Sequence, residues 1–132
     1  MIRFRHKQNG CENGQSIVEL ALILPVFTII LFGIIEFGRL WMTVNVMSGA
    51  AREGARVAAV SGTNFTQART TALNVMSSGN ISGASVSISG PNSASEIRVT
   101  VSLTYTTITG AIIPGLNRNL QLSRSATMRW EG

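Results

Sequence analysis

Few side chains in this 132-residue chain could take part in catalysis, and the two most reactive lie near its start. The single cysteine is Cys11 and the single histidine is His6. A nucleophilic cysteine needs a base held within hydrogen-bond reach by a folded scaffold, and a zinc site needs three or four such ligands. The polar stretch around these residues offers no scaffold, and one cysteine cannot form an intramolecular disulfide. We therefore interpret both as solvated residues of an N-terminal tail.

The carboxylates are also arranged without an evident catalytic pair. All six acidic residues are glutamates, and Glu53 and Glu96 have no second carboxylate at a spacing suited to acid–base work. The sequence contains no phosphate-binding glycine loop, no HExxH helix and no G-x-S-x-G turn. It therefore predicts a protein that is not an enzyme and that uses no cofactor, metal or small-molecule substrate.

An apolar segment in the first third of the chain predicts a membrane span. Residues 20–35 carry no charge, and apolar character extends from Ile17 to Trp41. At 1.5 Å per residue in a helix, this length crosses the roughly 30 Å hydrocarbon core of a bilayer. The rest of the chain is too small to enclose such a helix, so a buried helix of a soluble protein is the weaker interpretation. We expect residues 15–41 to cross the membrane.

The distribution of charge predicts the orientation of this span. The chain is 45% hydrophobic and only 13% charged, with a formal net charge of +5. Arg3, Arg5 and Lys7 precede the span, and cytoplasmic flanks are enriched in such residues. We therefore expect a single-pass protein of the cytoplasmic membrane, with its N-terminus inside and its C-terminal domain outside. The basic residues act as a topology signal in this interpretation, and nucleic acid is not an expected partner.

The apolar segment starts with the residues Gly14-Gln15-Ser16-Ile17-Val18-Glu19. This start resembles the processing site of type IV prepilin-like proteins. The resemblance implies that a prepilin peptidase cuts after Gly14 and that Glu19 becomes the fifth residue of the retained helix. A carboxylate inside an apolar helix is costly in lipid and is normally paired. The α-amino group of Gln15 in a neighbouring subunit would be such a partner; the alternative is a Glu19 that reaches the lipid headgroups.

Three further elements lie along the first half of the chain: Pro25 inside the helix, Glu36, Gly38 and Arg39 near the end of the span, and the segment AAREGAR at residues 50–56. With these elements the chain resembles the TadE-like family of minor pseudopilins, which belong to tight-adherence (Flp) pilus systems. The resemblance implies a structural role beside other pilins and pseudopilins, with a membrane platform and a secretion ATPase as indirect partners. Two alternatives are an unprocessed single-pass anchor with a small binding domain and a pseudopilin of a type II secretion or DNA-uptake system.

Charged residues follow the span on a helix that continues outside it. Glu36 can pair with Arg39, and Glu53 with Arg56, because both pairs have i,i+3 spacing. Arg52 lies on the same face as Arg56 and away from the apolar stripe. These side chains either form a solvated helix edge or contact another subunit or lipid phosphates. The apolar stripe itself consists of Leu40, Val44, Met47, Ala51, Ala55 and Ala58.

The remaining sequence predicts a small α+β domain. Ser61-Gly62 should end the long helix, Thr63 or Asn64 should cap a second helix over residues 67–77, and period-two alternation predicts about three antiparallel strands. Arg124 interrupts the last alternation, which indicates a bulge, an edge or the end of an apolar face. The apolar loop at residues 108–118 either tucks under the sheet or forms a contact patch. The expected segments are 1–14 leader, 15–41 span, 42–62 helical extension and 63–132 domain.

Overall fold

The computed structural model describes residues 12–62, 64–112 and 118–131 of the chain. The elements in those residues have the predicted α+β composition, with a long apolar helix, a short helix and three antiparallel strands. The chain divides into two compact units, Met1–Ile35 and Glu36–Gly132, which we call the N-terminal unit and the C-terminal unit. The elements are α1 Glu12–Val60, α2 Thr66–Ser78, β1 Ser85–Ser89, β2 Glu96–Thr106, α3 Thr109–Ile112 and β3 Asn119–Arg129.

The described part of the N-terminal unit is the first half of α1. Its apolar side chains are exposed, with Ile17 at 68% and Leu22 at 72% of their full accessible area. Pro25 lies inside α1 without ending it, although proline removes one backbone donor. The described part of α1 has the length and the apolar composition that a helix needs to cross a membrane. Residues 1–11 of the expected leader 1–14, with Cys11 and His6, lie outside the described residues.

The second half of α1 belongs to the C-terminal unit and packs through the predicted apolar stripe. Met47, Ala51, Ala55 and Ala58 are buried, whereas Leu40 and Val44 are half-buried. The helix ends at Val60, and Gly62 follows with a positive φ of 59°. Such a backbone conformation favours glycine because it has no Cβ, so the prediction of a stop at this position is confirmed.

The three strands form a meander in the order β1-β2-β3, and both pairings are antiparallel. β2 pairs with β3 along its whole length, from Glu96 opposite Arg129 to Thr106 opposite Asn119. Arg124 pairs with Val101 in an unbroken register, so the expected bulge at Arg124 is wrong. The alternative of an edge is confirmed, because β3 pairs only with β2 among the described strands.

One face of the sheet packs against α1 and α2. Alternate residues of β2 are buried on this face, whereas their neighbours are polar and more exposed. Gly54 of α1 marks a close approach: a Cβ on this residue would lie 3.0 Å from the Ala72 Cβ and 3.2 Å from a Val99 methyl. The buried residues of this core include Met47, Ala51, Met76, Val101 and Leu103 in one cluster and Ala55, Ala58, Ala68, Ile97 and Val99 in another.

The ends of α2 are fixed by local hydrogen bonds. The N-cap residue of α2 is Phe65, which makes no side-chain capping bond, so the predicted cap at Asn64 is wrong by one residue. The Asn64 side-chain carbonyl instead accepts a hydrogen bond of 3.1 Å from the Thr66 N–H, and Thr63, the alternative cap, lies outside the described residues. At the other end, the N–H groups of Asn80 and Ile81 donate to the carbonyls of Ser77 and Met76. Asn80 has a positive φ of 57°, which completes the usual pattern of a helix that ends in a left-handed residue.

The apolar loop expected at residues 108–118 is only partly described. Residues Thr109–Ile112 form the short helix α3, which the sequence does not predict because four residues carry no helical periodicity. Ile108 is 43% exposed. The side chains of Ile112, Ile113 and Leu116 lie outside the described ones, so the choice between a buried loop and a contact patch stays open.

Candidate functional site

The expected processing site lies in the first turns of α1. Gly14 and Gln15 are helical and exposed, and a Cβ built on Gly14 would meet no atom within 4 Å. With Glu19 and Leu22 they line a shallow depression on one face of the helix. The Glu19 carboxylate is exposed, and among the described residues it has no hydrogen-bond or ion-pair partner. It is therefore available to a group outside the chain.

A second group of charged and polar side chains surrounds Glu36, at the start of the C-terminal unit. One carboxylate oxygen of Glu36 accepts a 2.7 Å hydrogen bond from the Tyr105 hydroxyl. The other accepts from the Ile108 N–H at 2.8 Å and from the Thr109 N–H at 3.4 Å. The Thr109 hydroxyl adds a bond of 3.3 Å. Glu36 thus joins α1 to the end of β2 and caps the N-terminus of α3.

Arg39 lies beside this carboxylate without forming a hydrogen bond to it. Its guanidinium is 3.9 Å from a Glu36 oxygen, which is the predicted i,i+3 ion pair in a long geometry. The guanidinium also lies over the Tyr105 ring, 5.7 Å from its centre, where a cation is attracted to the face of an aromatic ring. Because the carboxylate oxygens bind other donors, the N–H groups of Arg39 keep their capacity to donate.

The pKa of Tyr105 is raised to about 12; burial of the phenol is the largest cause, and its hydrogen bond to Glu36 is the next. The neutral phenol is therefore favoured by folding, and its contribution to stability is complete below pH 10 and is lost as the pH rises through 12. Tyr105 is the only tyrosine, so ultraviolet absorbance titration reports it alone. We expect a midpoint near 12 for the wild type and a lower one for Glu36→Gln, in which the negative charge is removed but burial remains.

Glu53→Gln is the matched control for this titration, because Glu53 is on the same helix and pairs with Arg56 instead of Tyr105. It should leave the phenol midpoint unchanged. A Glu36→Gln variant that titrates at the same pH as the wild type would contradict the assignment of the shift to Glu36.

The third group of predicted residues lies on the exposed side of α1. The Arg56 guanidinium donates hydrogen bonds of 2.6 and 3.1 Å to the two oxygens of Glu53, which confirms the predicted pair. This bidentate contact holds the pKa of the Glu53 carboxyl below its usual value. Arg52 is exposed and has no acidic partner among the described residues. The geometry is compatible with both expectations, a solvated edge or a contact with another molecule.

The three groups lie on one continuous helix, and most of that helix falls within a known family pattern. Residues 14–56 match the TadE-like protein family. The match begins at Gly14 and ends at Arg56, so it contains every predicted site residue. It confirms the TadE-like resemblance for this segment of the chain. No curated protein and no solved structure matches the chain.

The TadE-like segment includes Glu36 but not the partners that give Glu36 its environment. Tyr105 and Ile108 lie 69 and 72 residues further along the chain, beyond the matched region. The sequence predicts a pair with Arg39 from spacing, whereas no periodic signal connects Glu36 to β2. The sequence offers one indication of this contact: a glutamate at the end of an apolar run and a single tyrosine at the end of a predicted strand.

Among the described residues, no cluster of three or more His, Cys, Asp or Glu side chains is found.

Proposed function

We propose that the chain is a minor pseudopilin of a Tad-type pilus or secretion system and that a prepilin peptidase cleaves it after Gly14. The observation that carries this proposal is the position of Gly14 and Glu19 within the first turns of α1, at the start of the TadE-like match. Cleavage there would leave the helix from Gln15 to Val60 intact, with a new α-amino group at its first residue. The match favours a Tad system over the type II secretion and DNA-uptake alternatives.

The exposed Glu19 side chain supports a role in assembly. Its carboxylate lies on the same helix face as Gln15, and among the described residues it is without a partner. In lipid an isolated carboxylate costs free energy, so association with a neighbouring subunit's amino group would stabilise the packed helices. The positive end of the α1 macrodipole would add to this stabilisation in each subunit.

The same proposal assigns a place to each segment. Residues 1–14 form the cytoplasmic leader, residues 15–41 the membrane span, residues 42–62 its extension outside, and residues 63–132 the extracytoplasmic domain. Arg3, Arg5 and Lys7 support this orientation. The direct partners are the peptidase, membrane lipid and other pilins, and the secretion ATPase and membrane platform act through them. Arg39, Arg52 and Arg56 are the side chains proposed to meet subunits or lipid phosphates.

The processing step is tested by the mass and N-terminal sequence of the protein purified from membranes of the native strain. We expect the wild type to begin at Gln15. Gly14→Leu should accumulate as the full-length precursor, because a bulky side chain at the residue before the cut obstructs the peptidase. Gly33→Ala is the control: a Cβ on Gly33 also meets open space, and this variant should be cleaved like the wild type. An intact Met1 in the wild type would instead favour the unprocessed membrane anchor.

A further inference from the structure

The sheet has an open edge that no described strand covers. β1 begins at Ser85, which pairs with Ser102, so β2 continues for four residues beyond it. Gly83, with a positive φ of 78°, turns the chain away just before β1 begins. On its other side, β2 stays paired with β3 as far as Thr106. The segment Leu103–Thr106 is therefore a strand with a partner on one side only.

The hydrogen-bonding groups of this open segment can be assigned from the register. In an antiparallel sheet, the N–H and C=O of successive residues point alternately to the two neighbouring strands. The Thr107 N–H donates to the Arg118 carbonyl beside β3, whereas the Ser102 carbonyl accepts a 3.5 Å hydrogen bond from the Ser85 hydroxyl in β1. Thr104 and Thr106 therefore direct their backbone groups to the open side. Among the described residues, nothing bonds to these groups.

A groove of about 440 Å³ occupies the position that a longer β1 would fill. Its walls are the open edge of β2, the loop after α2 and one turn of α1. Met42 and Leu103 contribute apolar surface, and Arg39 contributes the one charged side chain that lines it. As described above, the Arg39 guanidinium has no hydrogen-bond acceptor among the described residues, and its side chain is 47% exposed.

We propose that this groove binds an extended segment of another protein that carries a carboxylate. The segment would add to the sheet beside Thr104 and Thr106, as in other cases of strand addition, and its carboxylate would accept hydrogen bonds from Arg39. Four residues of strand span about 13 Å, which is enough for a short peptide. Charge complementarity favours an acidic occupant, because Arg39 is the one charged side chain that lines the groove, and Glu36, 3.9 Å from its guanidinium, is not part of the lining. The proposal stands whether or not Gly14 is a cleavage site.

The test uses the full chain in detergent micelles and a fluorescein-labelled pentapeptide of alternating threonine and valine that ends in glutamate. Fluorescence anisotropy measures the affinity, and amide hydrogen exchange by NMR locates the contact. We expect exchange of the Thr104 and Thr106 amides to slow on binding, while the Leu103 and Tyr105 amides, already bonded to β3, keep their rates. Arg39→Gln should weaken binding about tenfold or more, because it removes a charge-assisted contact.

Two controls separate this proposal from general electrostatic attraction. Arg52→Gln removes an exposed arginine of the same helix that does not line the groove, and it should bind the peptide like the wild type. An amidated peptide that ends in glutamine should bind about as weakly to the wild type as the acidic peptide binds to Arg39→Gln. Equal binding of the two peptides would overturn the role of Arg39. Binding without slower exchange at Thr104 and Thr106 would overturn strand addition.

A lipid headgroup is the competing source of negative charge at Arg39. Lipid nanodiscs that hold the full chain, made with phosphatidylcholine alone or with added phosphatidylglycerol, test it directly. If phosphatidylglycerol shifts the NMR signal of the Arg39 guanidinium and the peptide does not bind, the groove is a lipid site and the proposal fails. Thermal unfolding of each variant, followed by circular dichroism, shows that the compared proteins are equally folded.

Discussion

Gly54→Leu should unfold the C-terminal unit or lower its free energy of unfolding by at least about 3 kcal/mol. α1 passes so close to α2 and β2 at Gly54 that a Cβ alone would lie 3.0 Å from Ala72 and 3.2 Å from Val99. The further carbons of leucine would have to displace these side chains and the elements that carry them, and overpacking of a filled core typically costs about 1–3 kcal/mol even for smaller additions. Urea unfolding followed by near-ultraviolet circular dichroism in micelles measures the change.

Gly49→Ala is the matched control for Gly54→Leu. Gly49 lies five residues earlier on α1, and a Cβ there would meet no atom within 4 Å. Alanine is favoured over glycine in a helix by about 1 kcal/mol, so this variant should be slightly more stable than the wild type. If Gly54→Leu unfolds at the same urea concentration as Gly49→Ala, the close packing of α1 on the sheet at Gly54 is wrong.

Glu19→Ala should be processed normally and yet reduce piliation by about tenfold or more. Cleavage after Gly14 needs the residues around the cut, whereas Glu19 is one turn further along the helix. In the proposed assembly, removing the carboxylate leaves the neighbouring subunit's amino group unpaired in lipid, where an isolated charge costs several kcal/mol. Mass spectrometry of the membrane-purified protein measures processing, and electron microscopy of the native strain counts pili.

Glu96→Ala is the comparison variant for piliation. It removes an exposed glutamate of β2 that bonds to Asn92 and lies outside the proposed contact residues, so it should assemble like the wild type. Unchanged piliation in Glu19→Ala would argue against the pairing with Gln15. Loss of processing in Glu19→Ala would instead assign the residue to peptidase recognition.

The helices and strands of this chain can be predicted from the periodicity of its sequence, whereas the contacts between them cannot. The spacing of Met47, Ala51 and Ala55 predicts the buried side of α1, and alternation predicts all three strands, because each pattern reports one local period. The bond between Glu36 and Tyr105 joins residues that are 69 apart. No local pattern encodes such a contact, since it depends on how α1 and β2 meet.

The same contrast applies to the two candidate sites, one of which can be predicted from the sequence and one of which cannot. The region around Gly14 and Glu19 can be predicted from sequence as a candidate site because its residues are neighbours in the chain. The groove beside Arg39 was not, because it exists only where β1 stops short of β2 and the loop after α2 passes by. The register of β1 is set by tertiary packing, and a sequence of alternating serine, valine and isoleucine allows several registers.

Arg124 explains why a sheet with a long free edge need not polymerise. It is the middle residue of β3, and it occupies a helix-facing position between Leu122 and Ala126 while remaining exposed. If two copies paired antiparallel along β3 about its midpoint, their Arg124 side chains would stand directly opposite one another, and like charges in that position repel. An inward-pointing charge on an edge strand is a known protection against aggregation. Arg124 therefore opposes pairing of two copies along β3 in this register, even where copies of the chain are crowded together.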